Sequence, residues 1–488
     1  MRCCPSPRPA RWSPRWPAER SCRIARGICC RNNPDMTTLA IARLIADWIA
    51  GFSLDHAPGV AHHEAQRSIL DVIGVSLAGA DHDTCRRVGA LAAVEHGPGR
   101  CTVLGSAAPG SASAAALVNG TAAHVLDFDD VSYEGMVHAT AVVWPTVLAA
   151  AEMVGTSGRQ TMAAFIAGVE VDCALGRAFT HDLFWRGFWT TGMLGAIGAA
   201  AGAAKAMALD AATIVAAIEI AAAQASGLRA IVGSPMKPVA CGLAAETGLR
   251  AAQLARAGIH GPDDLIGRRY GFAAMLNDGV LLREEVAKLG RRYVFAAAPM
   301  AFKQFPICSY GQAAVDALLD AQAVLGSPPV RTICEVPAGI IDNMPYGRPN
   351  NPTEAQFSLP FALGAALAFG GVAPSHLTAA SLADPRLAAA IDRIEVRVAA
   401  GEAATALAGA GAGAVVTVEA GDGRRISRTV RVPTGMPEQP ISDGQLEVKF
   451  RTCADPVIGA AGAAALLERI RGLDRLAEIE QLFGGRGR

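Results

Sequence analysis

The chain has 488 residues, which exceeds the length that one hydrophobic core usually supports, so two domains are expected. Hydrophobic residues make up 51% of the chain and charged residues 18%, which provides a large core and excludes extensive disorder. The 44 basic and 44 acidic residues balance each other, so the composition gives no support to a nucleic-acid or anionic-membrane partner.

Residues 1–35 differ from the rest of the chain. They contain eight arginines, no lysine and five of the twelve cysteines. No apolar run is long enough for a secretory signal peptide, and the many prolines are unfavourable for the amphipathic helix of a transit peptide. We therefore expect either a disordered tail or a start assigned too early, with the working protein beginning at Met36.

The other cysteines and the lysines are informative by their number and spacing. Seven cysteines remain and form no CxxC pair, which predicts buried thiols in a reducing, cytoplasmic compartment and no zinc site. Only five of the basic residues are lysines, and in an arginine-rich chain each is a mild indication that a compact ammonium group is needed. The five are Lys205, Lys237, Lys288, Lys303 and Lys449.

Helical periodicity dominates residues 36–298. Apolar residues recur at helical spacing, with a glycine near each end, in HEAQRSILDVIGVSLAG, SGRQTMAAFIAGVEVDCALGRAF and GLAAETGLRAAQLARAG. The Ala-rich run 190–227 contains Lys205, Asp210 and Glu219, so it predicts two close-packed buried helices and no membrane span. This part of the chain is expected to be an all-helical domain.

Residues 299–436 have a different pattern. Strand-like alternation appears in RTICEVPAGII, IDRIEVRVAA and AGAVVTVEAGDGRRISRTVRVP, where GDG predicts a hairpin, and TEAQFSLPFALGAALAFG predicts a helix. After Pro437, GAAGAAALLERIRGL and RLAEIEQLFGG are again helical. The sequence thus predicts a mainly α protein, in which a smaller α+β domain is inserted into a helical domain of residues 36–298 and 437–488. Ligand sites favour such domain interfaces.

The segment HVLDFDDVSYEGMVH, residues 124–138, concentrates four acids and two histidines in fifteen positions. If a helix ends here, His124 and Asp127 share one face and Asp129 points elsewhere. A histidine beside a carboxylate is an oriented acid or base, and the glycine-containing loop could return His138 towards Asp127. Two alternatives stay open, namely a divalent-cation site and a solvated, helix-capping acidic turn.

Three further segments contain candidate binding residues. In GSPMKPVACG, Lys237 lies where a helix begins, a position that suits a carboxylate ligand, and a surface lysine is the alternative interpretation. In FKQFPICSYG, Lys303 and Cys308 lie at the start of the predicted α+β domain. In RGFWTTGMLGAIGAA, Trp189 and Thr190 form either a helix cap or the wall of a pocket. No P-loop, GxGxxG, GxSxG or zinc spacing is present, which favours cofactor-free acid–base chemistry on a small anion.

Together these segments resemble the MmgE/PrpD family, which includes 2-methylcitrate dehydratases, cis-aconitate decarboxylases and iminodisuccinate epimerases. Five blocks occur in family order, namely NGTAAHVLDFDD, GMLGAIGAAAGAAKAMAL, MKPVACGLAAETGLRAAQLARAG, KQFPICSYGQAAVDA and EAQFSLPFALGAAL. The resemblance implies a helical domain with an inserted α+β lid and an active site between them. It also implies a homodimer, a carboxylate substrate and no metal or organic cofactor.

By position, Asp127 matches the family's active-site aspartate and His138 its first active-site histidine, while Lys237 and Lys303 match lysines that hold substrate carboxylates. The other candidates for substrate contact are His124, Trp189, Thr190 and Cys308. The resemblance thus implies a cofactor-independent lyase of the dehydratase type, nominally acting on 2-methylcitrate. Decarboxylation, epimerisation and organic-acid binding without turnover are the alternatives.

Four positions depart from the family pattern. Trp189 and Ala240 stand where histidines are common, Phe361 where some decarboxylases have tyrosine, and Val131 where threonine is usual. Each change removes a polar group and adds apolar surface. A tricarboxylate needs many charge-assisted hydrogen bonds, so a smaller or more apolar acid is expected as the substrate.

Overall fold

The computed structural model describes residues 40–180 and 182–484, and the predictions for residues 1–35 lie outside this part. The described residues are mainly helical, with one small sheet, and the predicted mainly α fold is confirmed. All of them belong to one compact unit. Seven cysteines in it are buried with free thiols, as predicted.

The elements follow one another in chain order. The first helices are α1 (Ile41–Gly51), α2 (Gly59–Gly79), α3 (Asp83–His96), α4 (Ala112–His124), α5 (Ala139–Val154), α6 (Gly158–Ala178), α7 (Asp182–Trp185), α8 (Thr190–Ala206), α9 (Ala211–Gln224) and α10 (Met236–Arg256). They are followed by α11 (Phe272–Leu276), α12 (Arg283–Val286), α13 (Val294–Ala297), α14 (Gln312–Leu325), α15 (Ala338–Asn343), α16 (Pro352–Ala355), α17 (Leu359–Phe369), α18 (Ala379–Leu382), α19 (Pro385–Ile391), α20 (Gly401–Ala406) and α21 (Asp443–Arg471). The strands are β1 (Pro98–Cys101), β2 (Arg331–Val336), β3 (Ile394–Val398), β4 (Ala414–Glu419) and β5 (Arg425–Val430).

The Ala-rich run 190–227 forms α8 and α9, which pack against each other as predicted. Two of its charged residues, Lys205 and Asp210, lie at the ends of these helices, whereas Glu219 lies within α9 and accepts from the backbone N–H of Leu265 across 3.3 Å. Lys205 donates to the backbone oxygen of Ile49 across 2.8 Å, and Asp210 caps α9 by accepting from the backbone N–H of Thr213 across 2.8 Å. No helix in the described ranges is both long enough and apolar enough to cross a membrane.

Glycines let α4 and α10 approach closely. A Cβ atom on Gly120 of α4 would lie 2.9 Å from the Cα of Gly242 on α10, which leaves no room for any larger residue. This contact brings the C-terminal end of α4, at His124, beside the N-terminal turn of α10, which contains Lys237. The glycines at this contact therefore determine how closely His124 and Lys237 approach each other.

The buried hydrophobic residues form two main clusters. The larger one combines residues 41–302 with residues 441–482, because α21 returns from the C-terminal part of the chain and packs on α2. The second one lies within residues 307–420. The segment RLAEIEQLFGG differs from its prediction, since it forms 3₁₀ turns at Leu473–Arg475 and Ile479–Phe483 after α21 ends.

The sheet has the strand order β3-β2-β4-β5, in which β2 and β3 are parallel and the other pairs are antiparallel. The GDG turn joins β4 to β5 as predicted, with Gly423 at a φ of 87°. Helix α14 was not predicted from the sequence, and it packs on β4 and β5. The predicted helix around TEAQFSLPFALGAALAFG is divided into α16 and α17, since Ser358 caps a new helix start that Pro360 occupies.

Candidate active site

The acidic segment leaves the helical path directly after α4. Helix α4 ends at His124, and Asp127 adopts the left-handed region with a φ of 47°. The expectation that helical spacing directs Asp129 away from His124 is therefore wrong. The two side chains are in contact, because α4 ends at His124 and the residues from Asp127 onwards no longer follow helical spacing.

Asp129 is buried between two histidines. Its Oδ2 lies 2.9 Å from Nδ1 of His138 and 3.0 Å from Nδ1 of His124. Burial alone would raise the pKa of Asp129, but the two imidazole rings and their hydrogen bonds hold that pKa well below its usual range. Asp129 is therefore an ionised acceptor that orients both rings.

The hydrogen bonds define the tautomer of His138. Its Nδ1 lies 2.9 Å from Asp129 and 3.0 Å from the backbone oxygen of Asp130, and both partners can only accept, so Nδ1 carries a proton. In the neutral ring, Nε2 then holds the lone pair. The ring lines a cavity, and the backbone N–H of His138 donates to the hydroxyl of Thr191 at the start of α8. This geometry is typical of an oriented proton-transfer group.

His124 uses both ring nitrogens inside the protein. Its Nδ1 donates to Asp129, and its Nε2 accepts from the ammonium group of Lys237 across 2.7 Å. Burial lowers the pKa of His124 to about 4, so the ring is neutral near pH 7. His124 does not line the cavity. Its geometry fits the positioning of Lys237 better than direct contact with a substrate.

Asp127 lies between the two predicted lysines. Its Oδ1 is 2.7 Å from Nζ of Lys237 and 3.1 Å from Nζ of Lys303, whose Nζ also donates to the backbone oxygen of Asp127 across 2.8 Å. Although burial opposes ionisation, the two ammonium groups hold the pKa of Asp127 far below its usual range. Each ammonium group uses two of its three N–H donors in these contacts and in the bond to His124, which leaves one donor on each lysine.

A third lysine supports the same segment from behind. Nζ of Lys449, on α21, lies 2.7 Å from Oδ1 of Asp71 and donates to the backbone oxygen of Phe128 across 2.8 Å. The neighbouring Asp130 accepts from the hydroxyl of Thr140 across 2.9 Å, and burial beside Asp71 raises the pKa of Asp130 well above its usual range. Three of the five lysines thus hold residues 127–128 in place.

Most of the predicted site residues line one cavity. It has a volume of about 80 Å³. The predicted residues that line it are Asp127, His138, Lys237, Lys303, Trp189, Thr190 and Cys308. Sequence reasoning missed other lining residues, among them Tyr133, Arg229, Tyr310, Asn343 and Phe357. Tyr133 and Tyr310 lie inside motifs that had been singled out, whereas no spacing pattern pointed to Arg229 or Asn343.

Both halves of the chain match known family models. Residues 43–284 match the MmgE/PrpD N-terminal domain, and residues 305–475 match the MmgE/PrpD C-terminal domain. The chain belongs to the MmgE/PrpD family. The resemblance drawn from the five sequence blocks is therefore confirmed.

Several curated proteins are similar to this MmgE/PrpD member over most of their length. Cis-aconitate decarboxylase-like protein oryM of Aspergillus oryzae is 26% identical over 468 residues, which cover 90% of this chain and 95% of that protein. Cis-aconitate decarboxylase of Aspergillus terreus is 25% identical, with 90% and 94% covered. Cis-aconitate decarboxylase of Homo sapiens is 24% identical, with 92% and 94% covered.

The four departures from the MmgE/PrpD pattern separate into two groups. Trp189 and Val131 line the cavity, whereas Ala240 and Phe361 do not. Phe361 is fully buried in the second hydrophobic cluster, and Ala240 packs against the first. The inference of a less polar site therefore depends on two positions only.

Trp189 contacts the polar centre directly. Its ring centroid lies 5.5 Å from that of His124 and 5.9 Å from Nζ of Lys237. It occupies the N-cap position of α8 without a side-chain cap bond. The next residue, Thr190, donates its hydroxyl to the backbone oxygen of Met136 and so anchors the loop. Burial raises the pKa of Cys308 to about 11, so its thiol is protonated and a poor nucleophile near pH 7.

A metal ion fits this MmgE/PrpD site poorly. Ligand atoms of His124, Asp127 and His138 do lie within 4.8 Å of one another. However, the lone pair of His124 accepts from Lys237, and Asp127 already lies between two ammonium groups that would repel a cation. The charges present therefore favour an anion at this position.

Proposed function

We propose that the protein is a cofactor-independent lyase that acts on a small carboxylate by moving a proton at a carbon atom beside a carboxylate group. One observation supports this most directly. His138, whose Nδ1–H is held by the buried Asp129, lines the same small cavity as the ammonium groups of Lys237 and Lys303. A proton-transfer group and two cations in one cavity are the components that carbanion chemistry beside a carboxylate requires.

The residues divide the work as follows. The remaining N–H donors of Lys237 and Lys303 bind the substrate carboxylate and stabilise the negative charge that develops when the adjacent carbon loses its proton. Nε2 of His138 accepts that proton. Asp127 is too weak a base, given its lowered pKa, and serves to keep the two lysines charged and in place.

Dehydration of a hydroxy acid such as 2-methylcitrate is the first candidate reaction. The electron pair of the C–H bond forms the new C=C bond, and the C–O bond breaks. The leaving hydroxide takes the proton that His138 has received and departs as water. One imidazole can supply both proton transfers in sequence.

Decarboxylation is the second candidate, and several similar proteins carry the name cis-aconitate decarboxylase. A C–C bond breaks, CO₂ leaves, and the electron pair remains on the substrate carbon as a carbanion. That carbanion then takes a proton from protonated His138. Epimerisation instead begins with removal of the proton from the carbon beside the carboxylate, and the resulting carbanion takes a proton back on its opposite face. The three reactions therefore differ in the bond that breaks first and in the group that leaves.

A panel of acids in D₂O separates these reactions. 2-Methylcitrate, citrate and cis-aconitate are incubated with the protein and followed by NMR for alkene formation, loss of CO₂ and deuterium incorporation. We expect turnover of at least one acid. Decarboxylation or epimerisation should leave deuterium on the carbon that His138 protonates, whereas dehydration should form an alkene and lose the hydrogen from that carbon. Binding of the acids without bond cleavage or deuterium exchange would contradict a lyase and leave an organic-acid-binding protein.

We also propose that residues 299–436 act as a lid over the helical part of the chain. Two contacts support this, because Nε2 of Gln356 donates to the backbone oxygen of Val125 across 2.7 Å and Lys303 reaches Asp127. A lid of this kind would close the site when a substrate binds. Hydrogen exchange of residues 299–436 with and without citrate tests it, since closure should slow exchange near Gln356.

A homodimer is the proposed assembly. On α21, Val448, Val457 and Ile458 are exposed apolar residues on the surface of the monomer. Multi-angle light scattering of wild type and of Val457→Glu tests the proposal. A monomeric wild type contradicts it.

A further inference from the structure

We infer that Arg229 forms a second anion subsite, which binds a distal carboxylate of the substrate. The inference deepens the proposed function and rests on it for the identity of the ligand as a substrate. It depends on the charges in the cavity wall, on the free donors of the guanidinium group and on how that group is held.

The cavity wall carries an excess of positive charge. Its ionised residues are Asp127, Lys237, Lys303 and Arg229. Asp127 offsets one of the three cations, and Asp129 lies behind His138 without lining the cavity. A ligand with two carboxylates would neutralise the remaining charge of the wall, whereas a monocarboxylate would leave one cation uncompensated.

The guanidinium group of Arg229 has donors to spare. Nη1 donates to the backbone oxygen of Phe184 across 3.3 Å, and Nη2 donates to Oδ1 of Asn343 across 3.1 Å. Both acceptors are uncharged, and within residues 40–180 and 182–484 no carboxylate forms an ion pair with Arg229. A guanidinium group carries five N–H donors, so enough remain to hold a carboxylate through two hydrogen bonds.

The group is also held in a defined orientation. Its central carbon lies 4.3 Å from the ring centroid of Phe184 and 5.5 Å from that of Trp185. Stacking and the bond to Asn343 restrict the side chain before a ligand arrives, which lowers the entropy cost of binding. The lysines would bind the carboxylate next to the reacting carbon, and Arg229 would bind the carboxylate at the other end of the molecule.

Calorimetric titration tests the subsite without any need for turnover. The probes are succinate, glutarate and adipate, each compared with its monoamide, which has the same shape but lacks one charge. We expect wild type to bind the best-fitting dicarboxylate roughly tenfold to hundredfold more tightly than its monoamide. Arg229→Gln should remove this difference and leave affinity for the monoamide nearly unchanged. Arg229→Lys should retain part of it, because it keeps the charge but loses the planar fork.

A matched control is Arg186→Gln. Arg186 lies in the neighbouring loop, pairs with Asp278 and does not line the cavity, so its removal should leave both affinities unchanged. The subsite is overturned if wild type binds no dicarboxylate more tightly than its monoamide. The subsite is also overturned if Arg229→Gln lowers the affinities for the dicarboxylate and for its monoamide by the same factor. That result would mean that Arg229 has a structural role and connects Phe184 with Asn343. A wild type that discriminates between the probes but cleaves no acid contradicts the lyase and leaves the subsite intact.

Discussion

Asp129 accepts a hydrogen bond across 2.9 Å from Nδ1 of His138, and this contact leaves Nε2 as the ring nitrogen that can exchange protons with a ligand. The adjacent Asp130 accepts a hydrogen bond from His138 through its backbone oxygen and not through its carboxyl group. Burial raises the pKa of the Asp130 carboxyl group. The pKa values of two adjacent aspartates are thus shifted in opposite directions, because Asp129 faces two imidazole rings, whereas Asp130 is buried beside Asp71.

Asp129→Asn should lower kcat by about 10²–10⁴, because the amide N–H₂ would favour the wrong tautomer of His138. The matched control is Asp130→Asn, because Asp130 contacts His138 only through its backbone oxygen, which this substitution keeps, and kcat should stay within a few-fold of wild type. Steady-state kinetics of both variants on the best acid of the panel provide the measurement. Equal losses in the two variants would contradict the distinction between the two carboxyl groups.

Lys303→Met should reduce kcat/KM by about 10²–10³, since it removes a charged donor from the carbanion site. Burial opposes the charge of Lys303, but Asp127 raises the pKa of this lysine above its ordinary value, so the wild-type ammonium stays protonated at alkaline pH. Lys205→Met is the control, because Lys205 is half-buried in α8, does not line the cavity and donates to the backbone oxygen of Ile49. If Lys205→Met loses as much activity as Lys303→Met, the effect reflects folding and not the site.

Trp189→His should raise activity on 2-methylcitrate or cis-aconitate, because an imidazole near His124 and Lys237 adds a polar group and vacates space in the cavity. Trp189→Phe, which stays apolar, should not do so. Comparison of kcat/KM for both variants with wild type is the measurement. Efficient wild-type turnover of 2-methylcitrate that Trp189→His slows would show that the tryptophan does not reflect a changed substrate.

Glu170 should make stability depend on pH. Burial raises the pKa of Glu170 to about 7, although its carboxyl group accepts the backbone N–H of Val294 across 2.8 Å. A raised pKa means that the folded state binds the proton more tightly than the unfolded state. The contribution, about 3 kcal/mol, is therefore complete at acidic pH, below the pKa of an unfolded glutamate, and is lost as pH rises to about 7.

Urea unfolding at several pH values measures this effect. Glu170→Gln cannot ionise, so its free energy of unfolding should fall less than that of wild type between pH 5 and pH 8. Glu402→Gln, at an exposed position on α20, should retain the wild-type pH dependence. An unchanged slope in Glu170→Gln would assign the dependence to other groups.

Several parts of the fold and site could be predicted because they depend on local patterns. Helical spacing identified α2, α6, α8, α9 and α10, and strand alternation identified β2 to β5, since burial on one face leaves a period in the sequence. Local motifs likewise identified Asp127, His138, Lys237 and Lys303 as candidates, and all four line one cavity. The break between α16 and α17 was missed, although Ser358 and Pro360 are residues that favour a new helix start at this point.

The amino-acid sequence by itself determined the helical class, the family and the residues able to carry charge in the site. Only the tertiary structure decided how those residues are used. Asp129 became the orienting acceptor because the chain turns at Asp127, and Lys303 reaches Asp127 from 176 residues away. Arg229 lines the cavity although no local sequence pattern pointed to it. The physical reason is that hydrogen-bond partners and protonation states depend on distances of a few ångströms between distant segments, and a linear pattern contains no information on those distances.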